Sequence, residues 1–215
     1  PVLDTELTGF SNQLQQLVVG REDAFRFFSG TPPGGPLDTS PYANDGVGRI
    51  YGGELLVKAS SERTVAWLSA TVSRSLRTKR PDEDEVLFEY DQPVVLTALA
   101  SHRLPKRWRL GARVRTSSGN PYTPVVNRSY SLDRREFEPV YGDRDSARLP
   151  PFLQVDVRVD KDWVYDNWTL TAYVDVQNTT NAQNIETMSW TYDFAEEDPV
   201  TGLPVVPSFG LRGEW

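Results

Sequence analysis

A strict alternation of apolar and polar side chains runs through several segments of this chain and limits what it can fold into. The clearest segment is 167–177, and the pattern returns at 107–115, 153–160 and 209–215. Successive side chains of a β-strand point to opposite faces, so a period of two predicts strands with one apolar and one polar face. In the first of these segments the apolar positions are Trp168, Leu170, Ala172, Val174 and Val176.

Four less regular segments also have the character of strands. They lie at about 4–18, 46–59, 63–76 and 92–104, and they bring the total to about eight antiparallel strands. The first of them alternates least, because Leu7, Phe10, Leu14 and Leu17 are mixed among polar residues, and its phase stays open. The predicted fold class is therefore all-β.

The connections between these strands alternate in length. Short ones are predicted at 60–63, 104–106 and 165–167, and long Gly/Pro/Asp-rich ones at about 19–45, 77–91, 117–151 and 178–206. Outer-membrane β-barrels place short turns on the periplasmic side and long loops outside. If the strand that ends at Trp215 ends in the periplasm, every short connection falls on that side. The order predicts antiparallel strands of a transmembrane β-barrel.

The composition agrees with a membrane crossing by strands and excludes several other functions. The sequence has no uninterrupted apolar stretch of the roughly 18 residues that a transmembrane helix needs. Its 30 acidic and 23 basic residues give a net charge of −7, which disfavours nucleic-acid binding. Because His102 is the only histidine and cysteine is absent, we expect neither a Ser-His-Asp triad nor a multi-histidine metal site unless another chain contributes residues. We expect no enzyme activity, no cofactor and no metal site.

A soluble β-sandwich is the main alternative, because alternation alone shows only that one face is buried and the other wet. The barrel is favoured because arginines and carboxylates share the polar side of several strands. It is also favoured by four aromatic residues near the short connections, where amphipathic rings prefer the lipid headgroup region. These residues are Trp108, Trp163, Tyr165 and Trp168.

The polar face supplies the candidate site residues. They could attract anionic solutes, or they could form structural charge ladders across neighbouring strands, the reading we prefer. His102 is expected to be a strand residue near the periplasmic rim, and the acidic clusters at 82–85, 143–145 and 196–198 to be solvated charge in external loops. The glycine-rich stretch 30–35 is predicted to be a flexible turn. The residues predicted to line a lumen are Arg109, Arg113, Arg115, Gln154, Asp156, Arg158, Asp160, Tyr173 and Asp175.

Several motifs resemble the last strands of TonB-dependent outer-membrane receptors. The segments 118–124 (SGNPYTP) and 147–161 (ARLPPFLQVDVRVDK) are similar to that family's Gly-x-Pro-Tyr-x-Pro loop and the Asp-x-Arg strand after it. The resemblance covers 43–215 well and 1–42 loosely. It continues through YVDVQNTTN at 173–181 and PSFGLRGEW at 207–215, with strand starts at YGGELL, 51–56, and YDQP, 90–93.

This resemblance implies that residues 1–215 form the C-terminal portion of a receptor barrel, the last third of about 22 strands, integral to the bacterial outer membrane. It implies active uptake of a nutrient that the sequence does not identify, with the plug domain outside this chain. Implied partners are outer-membrane lipid, the plug and N-terminal strands, a TonB-type energy transducer acting through the plug, and the outer-membrane assembly machinery. Phe209, Leu211 and Trp215 are implied to be the C-terminal assembly signal.

A second hypothesis gives the chain a different function. About eight strands are enough to close a small outer-membrane barrel, which would serve as an anchor or an adhesion module.

Overall fold

The computed structural model describes residues 2–20, 42–78 and 84–215, and β-strands dominate this part of the chain. Among these residues no helix is long and apolar enough to cross a membrane. The strands are β1 (Val2–Gly20), β2 (Tyr42–Ser60), β3 (Thr64–Thr78), β4 (Val86–Leu87), β5 (Val94–Leu104), β6 (Trp108–Ser117), β7 (Pro121–Tyr122), β8 (Val125–Ser131), β9 (Glu136–Tyr141), β10 (Ala147–Arg148), β11 (Phe152–Val164), β12 (Thr169–Gln177), β13 (Ile185–Trp190), β14 (Glu197–Thr201) and β15 (Val206–Glu214).

The long strands form one antiparallel sheet in which each strand pairs with the next along the chain. Its order is β1-β2-β3-β5-β6-β11-β12-β15, with β4 added beside β3, and this confirms the predicted all-β antiparallel class. Such a meander is the topology of up-and-down barrels. In the described part of the chain β1 pairs only with β2 and β15 only with β12, so the sheet is open at both edges. In these residues β1 and β15 do not pair with each other to close a small barrel.

The strand register aligns the apolar residues of successive strands. An apolar row crosses the sheet at Ala66, Ala100, Ala112, Val157 and Val176, each opposite the next. The adjacent row, on the other face, is polar at Ser101, Arg158 and Asp175, with Gly111 between the first two. Because the side-chain period is two, this register gives the sheet one apolar and one polar face throughout β5, β6, β11 and β12.

No second layer of structure covers the apolar face in the described residues. The only buried hydrophobic side chain there is Leu149, whereas Leu7 is 80% exposed, Leu211 74% and Phe209 86%. A soluble sandwich would bury such side chains between two sheets. An uncovered apolar sheet face of this extent marks a surface that contacts apolar surroundings.

Short and long connections alternate as predicted. The short ones are 61–63, the 3-10 turn Pro105–Arg107, and 165–168. In the second, Lys106 and Arg107 have φ of 59° and 62°; in the third, the Tyr165 amide donates to the Trp168 carbonyl at 2.9 Å. We call the sheet end with these turns the turn end, and the opposite end the loop end.

The prediction of long loops is wrong in part, because much of the loop end is also β-structure. β4 lies within 77–91, β7–β10 within 117–151, and β13 and β14 within 178–206, while β1 and β2 extend beyond the predicted boundaries. All five residues of β14 are exposed, and β8 is mostly exposed. Because neither strand buries one face, neither has the alternation of apolar and polar residues that predicts a strand. The stretch 30–35 and residues 82–83 lie outside the described residues.

The irregular pattern of β1 has a structural cause. Leu7 opposes Leu55 on the apolar face, whereas Phe10 opposes Gly52 and Leu14 opposes Gly48 on the polar face. Register shifts then follow between Leu14 and Leu17 and between Leu17 and Val19. Each such bulge changes which parity faces a given side, so no single phase describes the strand.

Candidate functional site

The nine polar residues singled out from the sequence share one face of β6, β11 and β12. Arg113 opposes Asp156, Arg115 opposes Gln154, and Arg158 opposes Asp175. Arg109 and Tyr173 both oppose Asp160. Together with Leu99 and Ser101 of β5, most of them border a shallow concavity of about 390 Å³.

Asp156 is the best-connected carboxylate of this face. It is 7% exposed, and its oxygens accept from Arg113 Nε at 2.7 Å, Gln154 Nε2 at 2.9 Å and the Asn178 amide at 3.0 Å. A buried carboxylate requires such partners, since an unpaired one would be strongly destabilising. Asn178, which sequence reasoning did not assign to the site, ties the end of β12 to this charge.

Arg158 is the centre of a second group. Its Nε and Nη2 donate to Asp160 at 3.1 and 2.8 Å, its Nη1 lies 3.7 Å from Asp175, and its guanidinium carbon is 4.2 Å from the Tyr173 ring centroid. Nearby, Arg109 pairs with Asp162 at 3.4 Å. These charges neutralise one another, which agrees with structural ladders on a polar wall.

Arg115 differs from the other arginines of this face. It is exposed, and its guanidinium carbon lies 5.5 Å from the ring centroid of Phe152. It forms no ion pair within the described residues. Arg115 thus lies near an aromatic ring, whereas Arg109, Arg113 and Arg158 are paired with carboxylates.

A buried ion cluster at the loop end holds together three of the motifs noted in the sequence. Asp91, 1% exposed, accepts from the Ser75 amide at 2.6 Å and Arg74 Nη1 at 3.1 Å, and it also accepts from Arg148 Nη2. Arg148 Nη1 donates to the carbonyls of Asp91 at 2.5 Å and Gly119 at 3.0 Å. We call Asp91, Gly119 and Arg148 the rim clamp.

Gly119 is required by the closeness of two loops in the rim clamp. A Cβ at this position would lie 1.8 Å from the Leu149 carbonyl oxygen, so no other residue fits without moving the backbone. The next residue, Asn120, accepts two hydrogen bonds. Its Oδ1 accepts from Gln92 Nε2 at 2.9 Å, and its backbone carbonyl accepts from the Leu149 amide at 3.0 Å. Sequence reasoning recorded these motifs as a resemblance but missed that they contact one another.

Asparagines close the next loop. Asn178 has φ of 50°, a conformation that asparagine tolerates, and its Nδ2 donates to the carbonyls of Ala182 at 3.0 Å and Leu203 at 3.1 Å. The Asn184 side chain pairs with both backbone groups of Leu153, at 2.8 and 2.9 Å. The 178–206 connection is thereby fixed to β11.

The hairpins β8–β9 and β13–β14 contact each other beyond the main sheet. Arg128 forms an ion pair with Asp193, and the rings of Phe137 and Tyr192 meet edge to face with centroids 6.4 Å apart. The Thr191 hydroxyl, followed by the Ala195 amide and Arg128, lowers the pKa of the Asp193 carboxyl. In Tyr122 of β7, burial and then Glu197 raise the pKa of the phenol.

Asp193→Asn is expected to loosen the contact between these hairpins. Because the folded pKa of Asp193 is lowered, its stabilising charge is present above its unfolded pKa, near 3.8, and is lost only as the pH falls through the lower folded value. Limited proteolysis at neutral pH should cleave 185–201 faster in the variant, and the wild type should match that rate only once the pH has fallen below the lowered pKa of Asp193. Equal rates at neutral pH would contradict the assignment.

The turn end has an aromatic and cationic rim. The Tyr165 and Trp168 rings stack with centroids 4.8 Å apart, and Lys161 Nζ lies 5.4 Å from the Trp108 ring and 5.8 Å from the Trp163 ring. His102 is at this end of β5, as predicted, with Nδ1 2.8 Å from Thr64 Oγ1. Within the described ranges no group of three or more His, Cys, Asp or Glu side chains is placed to hold a metal ion.

Comparison with solved structures identifies the class of fold. The chain resembles FpvA of P. aeruginosa, solved with heterologous pyoverdines and iron, with a TM-score of 0.62 and 14% identity over 97% of this chain and 24% of FpvA. It also resembles Fiu, the ferric-catecholate import receptor of E. coli K12, with a TM-score of 0.58 and 15% identity over 98% of this chain and 24% of Fiu. No family model and no curated protein sequence matches.

Both structural neighbours are TonB-dependent receptors of the outer membrane. At such low identities the likeness establishes the fold alone, which is an all-β antiparallel sheet like that of the receptor barrels. The chain spans about a quarter of the length of each receptor.

Proposed function

We propose that this chain is a wall segment of an outer-membrane receptor that takes up a scarce nutrient with energy supplied from the inner membrane. The observation that carries the proposal is the single-layered sheet, apolar and uncovered on one face and charged and internally paired on the other. In a barrel, the first face meets lipid and the second meets an aqueous or protein-filled interior.

The height of the apolar face fits a membrane. Along β11 the apolar parity runs from Leu153 to Trp163, interrupted only by Lys161, whose amine is held at the aromatic rim. At about 3.3 Å per residue this run is roughly 33 Å long, and a strand tilt of about 40° reduces it to roughly 25 Å of membrane depth. That is the height of the apolar band of outer-membrane barrels.

The open edges favour a receptor wall over a small closed barrel. Strands beyond β1 and β15 are needed to satisfy the backbone groups of both edges within lipid. In the proposed protein these strands belong to the same receptor, the plug occupies the polar side, and the energy transducer acts on the plug. The substrate remains open among iron chelates, cobalamins, glycans and peptides.

Site-specific labelling tests the orientation in the membrane. The chain contains no cysteine, so Ser129→Cys in the β8–β9 hairpin and Asp166→Cys in the β11–β12 turn introduce single thiols into it. A membrane-impermeant maleimide is expected to label position 129 but not 166 on intact cells, and both after lysis. Labelling of position 166 on intact cells would contradict the proposed orientation.

Uptake is tested separately with the complete gene. Its deletion is expected to remove accumulation of one nutrient class, and the same accumulation in wild-type cells should stop when the inner-membrane proton gradient is collapsed. Unchanged accumulation across iron chelates, cobalamins, glycans and peptides would contradict the transport role while leaving the barrel intact.

A further inference from the structure

A small cavity lies at the loop end, where the ends of β1, β3 and β4 meet. Its volume is about 250 Å³, and its lining includes the apolar residues Leu17, Val19, Leu87 and Phe88 and the charged residues Arg77, Glu89 and Arg144. It is separate from the charged groups of β6, β11 and β12 described above. It is also separate from the rim clamp.

Bulges and glycines together create the cavity. The two register shifts of β1 and the left-handed Gln16, with φ of 57°, carry residues 17–19 across the end of β2. There a Cβ at Gly46 would lie 2.7 Å from Val19 Cγ1, and a Cβ at Gly48 would lie 3.4 Å from Leu17 Cδ1. The same Gly48 position is 3.5 Å from Arg77 Cγ. Side chains at 46 and 48 would therefore crowd Val19 and Leu17, which line the cavity.

The Arg77 guanidinium in this cavity has no polar partner among the described residues. Its carbon lies 3.8 Å from the Phe88 ring centroid, and its Nε is buried without a hydrogen-bond acceptor. It makes no ion pair or hydrogen bond with the residues that the structure describes. By contrast, Arg49 pairs with Glu85 at 2.5 Å and Arg74 with Asp91 at 3.1 Å. Buried donors are nearly always satisfied, and no acceptor for this one lies in the part of the chain that the structure describes.

The chemistry of the cavity indicates which kind of acceptor Arg77 would bind. The Arg77 guanidinium carbon lies over the Phe88 ring, and a guanidinium presents its N–H groups in its own plane, the geometry that binds carboxylate or phosphate. Leu17, Val19 and Leu87 add apolar surface beside the charge. The volume lies slightly below the range of drug-sized pockets, about 300–1,000 Å³, and therefore fits one ring.

We propose that this cavity binds a small organic anion that carries one planar apolar ring. Arg77 holds the anionic group, Phe88 orients the guanidinium, and the leucine and valine side chains contact the ring. The inference goes beyond the proposed function and does not depend on it, because it requires only these residues and no transport step.

Binding of ring compounds that differ only in charge tests the proposal. The full-length gene product, purified in detergent, is titrated with benzoate, neutral benzamide and cationic benzylamine, and saturation-transfer NMR reports binding. Benzoate is expected to bind at least about tenfold more tightly than benzamide, because a charge-assisted hydrogen bond replaces a neutral one. Benzylamine should not bind. Equal binding of the three compounds, or none by benzoate, would overturn the proposal.

Variants assign the effect to the cavity. Arg77→Gln should lower benzoate affinity about tenfold to the level of benzamide, while Arg134→Gln, a matched loss of an exposed arginine that pairs with Glu138, should leave it unchanged. Leu17→Phe keeps the charge but fills the cavity, so it should also abolish binding. Heat-modifiable migration verifies that each variant has folded. If Arg77→Gln fails to fold, Leu17→Phe decides alone, and unchanged benzoate binding in that variant refutes the site.

Discussion

Leu68→Arg is expected to prevent membrane assembly of this protein, whereas Ser69→Arg, one residue further along β3, is expected to be tolerated. Leu68 lies on the apolar face between Val57 and Ala98, while Ser69 lies on the polar face between Leu56 and Thr97. A lipid-facing arginine near the bilayer midplane costs about 2–4 kcal/mol, and an arginine on the interior side does not incur that cost.

The measurement is the heat-modifiable migration of both variants, together with their urea midpoints in lipid vesicles. The adjacent positions share strand, depth and added residue, so the comparison isolates the face. If both variants folded equally well, the assignment of the apolar face to lipid would be wrong. If only Ser69→Arg failed, the two faces would have been exchanged.

Asp91→Ala is expected to have the second large effect, a loss of about 3–5 kcal/mol in the free energy of unfolding, because it removes one side of a buried ion cluster. Arg74 and Arg148 would lose their carboxylate and the Ser75 amide its acceptor. The loops that meet in the rim clamp should separate and become sensitive to protease added outside cells. Urea unfolding in lipid vesicles measures the stability.

Two comparisons make this result specific. Asp133→Ala removes an exposed carboxylate from the β8–β9 turn and should change the stability by less than about 0.5 kcal/mol. Asp91→Asn keeps acceptor oxygen but loses charge, so it should fall between the two. An Asp91→Ala protein as stable as Asp133→Ala would show that the rim clamp contributes nothing.

The sequence predicted the main sheet well, because each strand that carries both faces shows them as a period of two. Val155, Val157 and Val159 identify the apolar side of β11 without any structure. The predicted polar residues also proved to be neighbours, since the short turns set the register between β6, β11 and β12. The sequence alone does not show which carboxylate forms an ion pair with each arginine. Asp162, the partner of Arg109, was not predicted to belong to the site.

The remaining failures have two physical causes. Bulges in β1 change the sheet face on which Leu17 and Val19 lie. An alternation of apolar and polar residues cannot assign a face to residues beyond a bulge, because the alternation changes phase there. The rim clamp depends on contacts between residues far apart in sequence, such as Asp91 with Arg148, and on the close approach at Gly119. The sequence shows these motifs separately and does not show that they are in contact.

In the described part of the chain the outer edges of β1 and β15 are unpaired, and in the proposed receptor wall this constrains entry into a bilayer. Hydrocarbon offers no water to the amide and carbonyl groups along β1 and β15, so neither strand can be inserted first and joined later. In the proposed receptor, insertion is therefore expected to be concerted, with β1 and β15 paired to their neighbouring strands before or during transfer from the aqueous side.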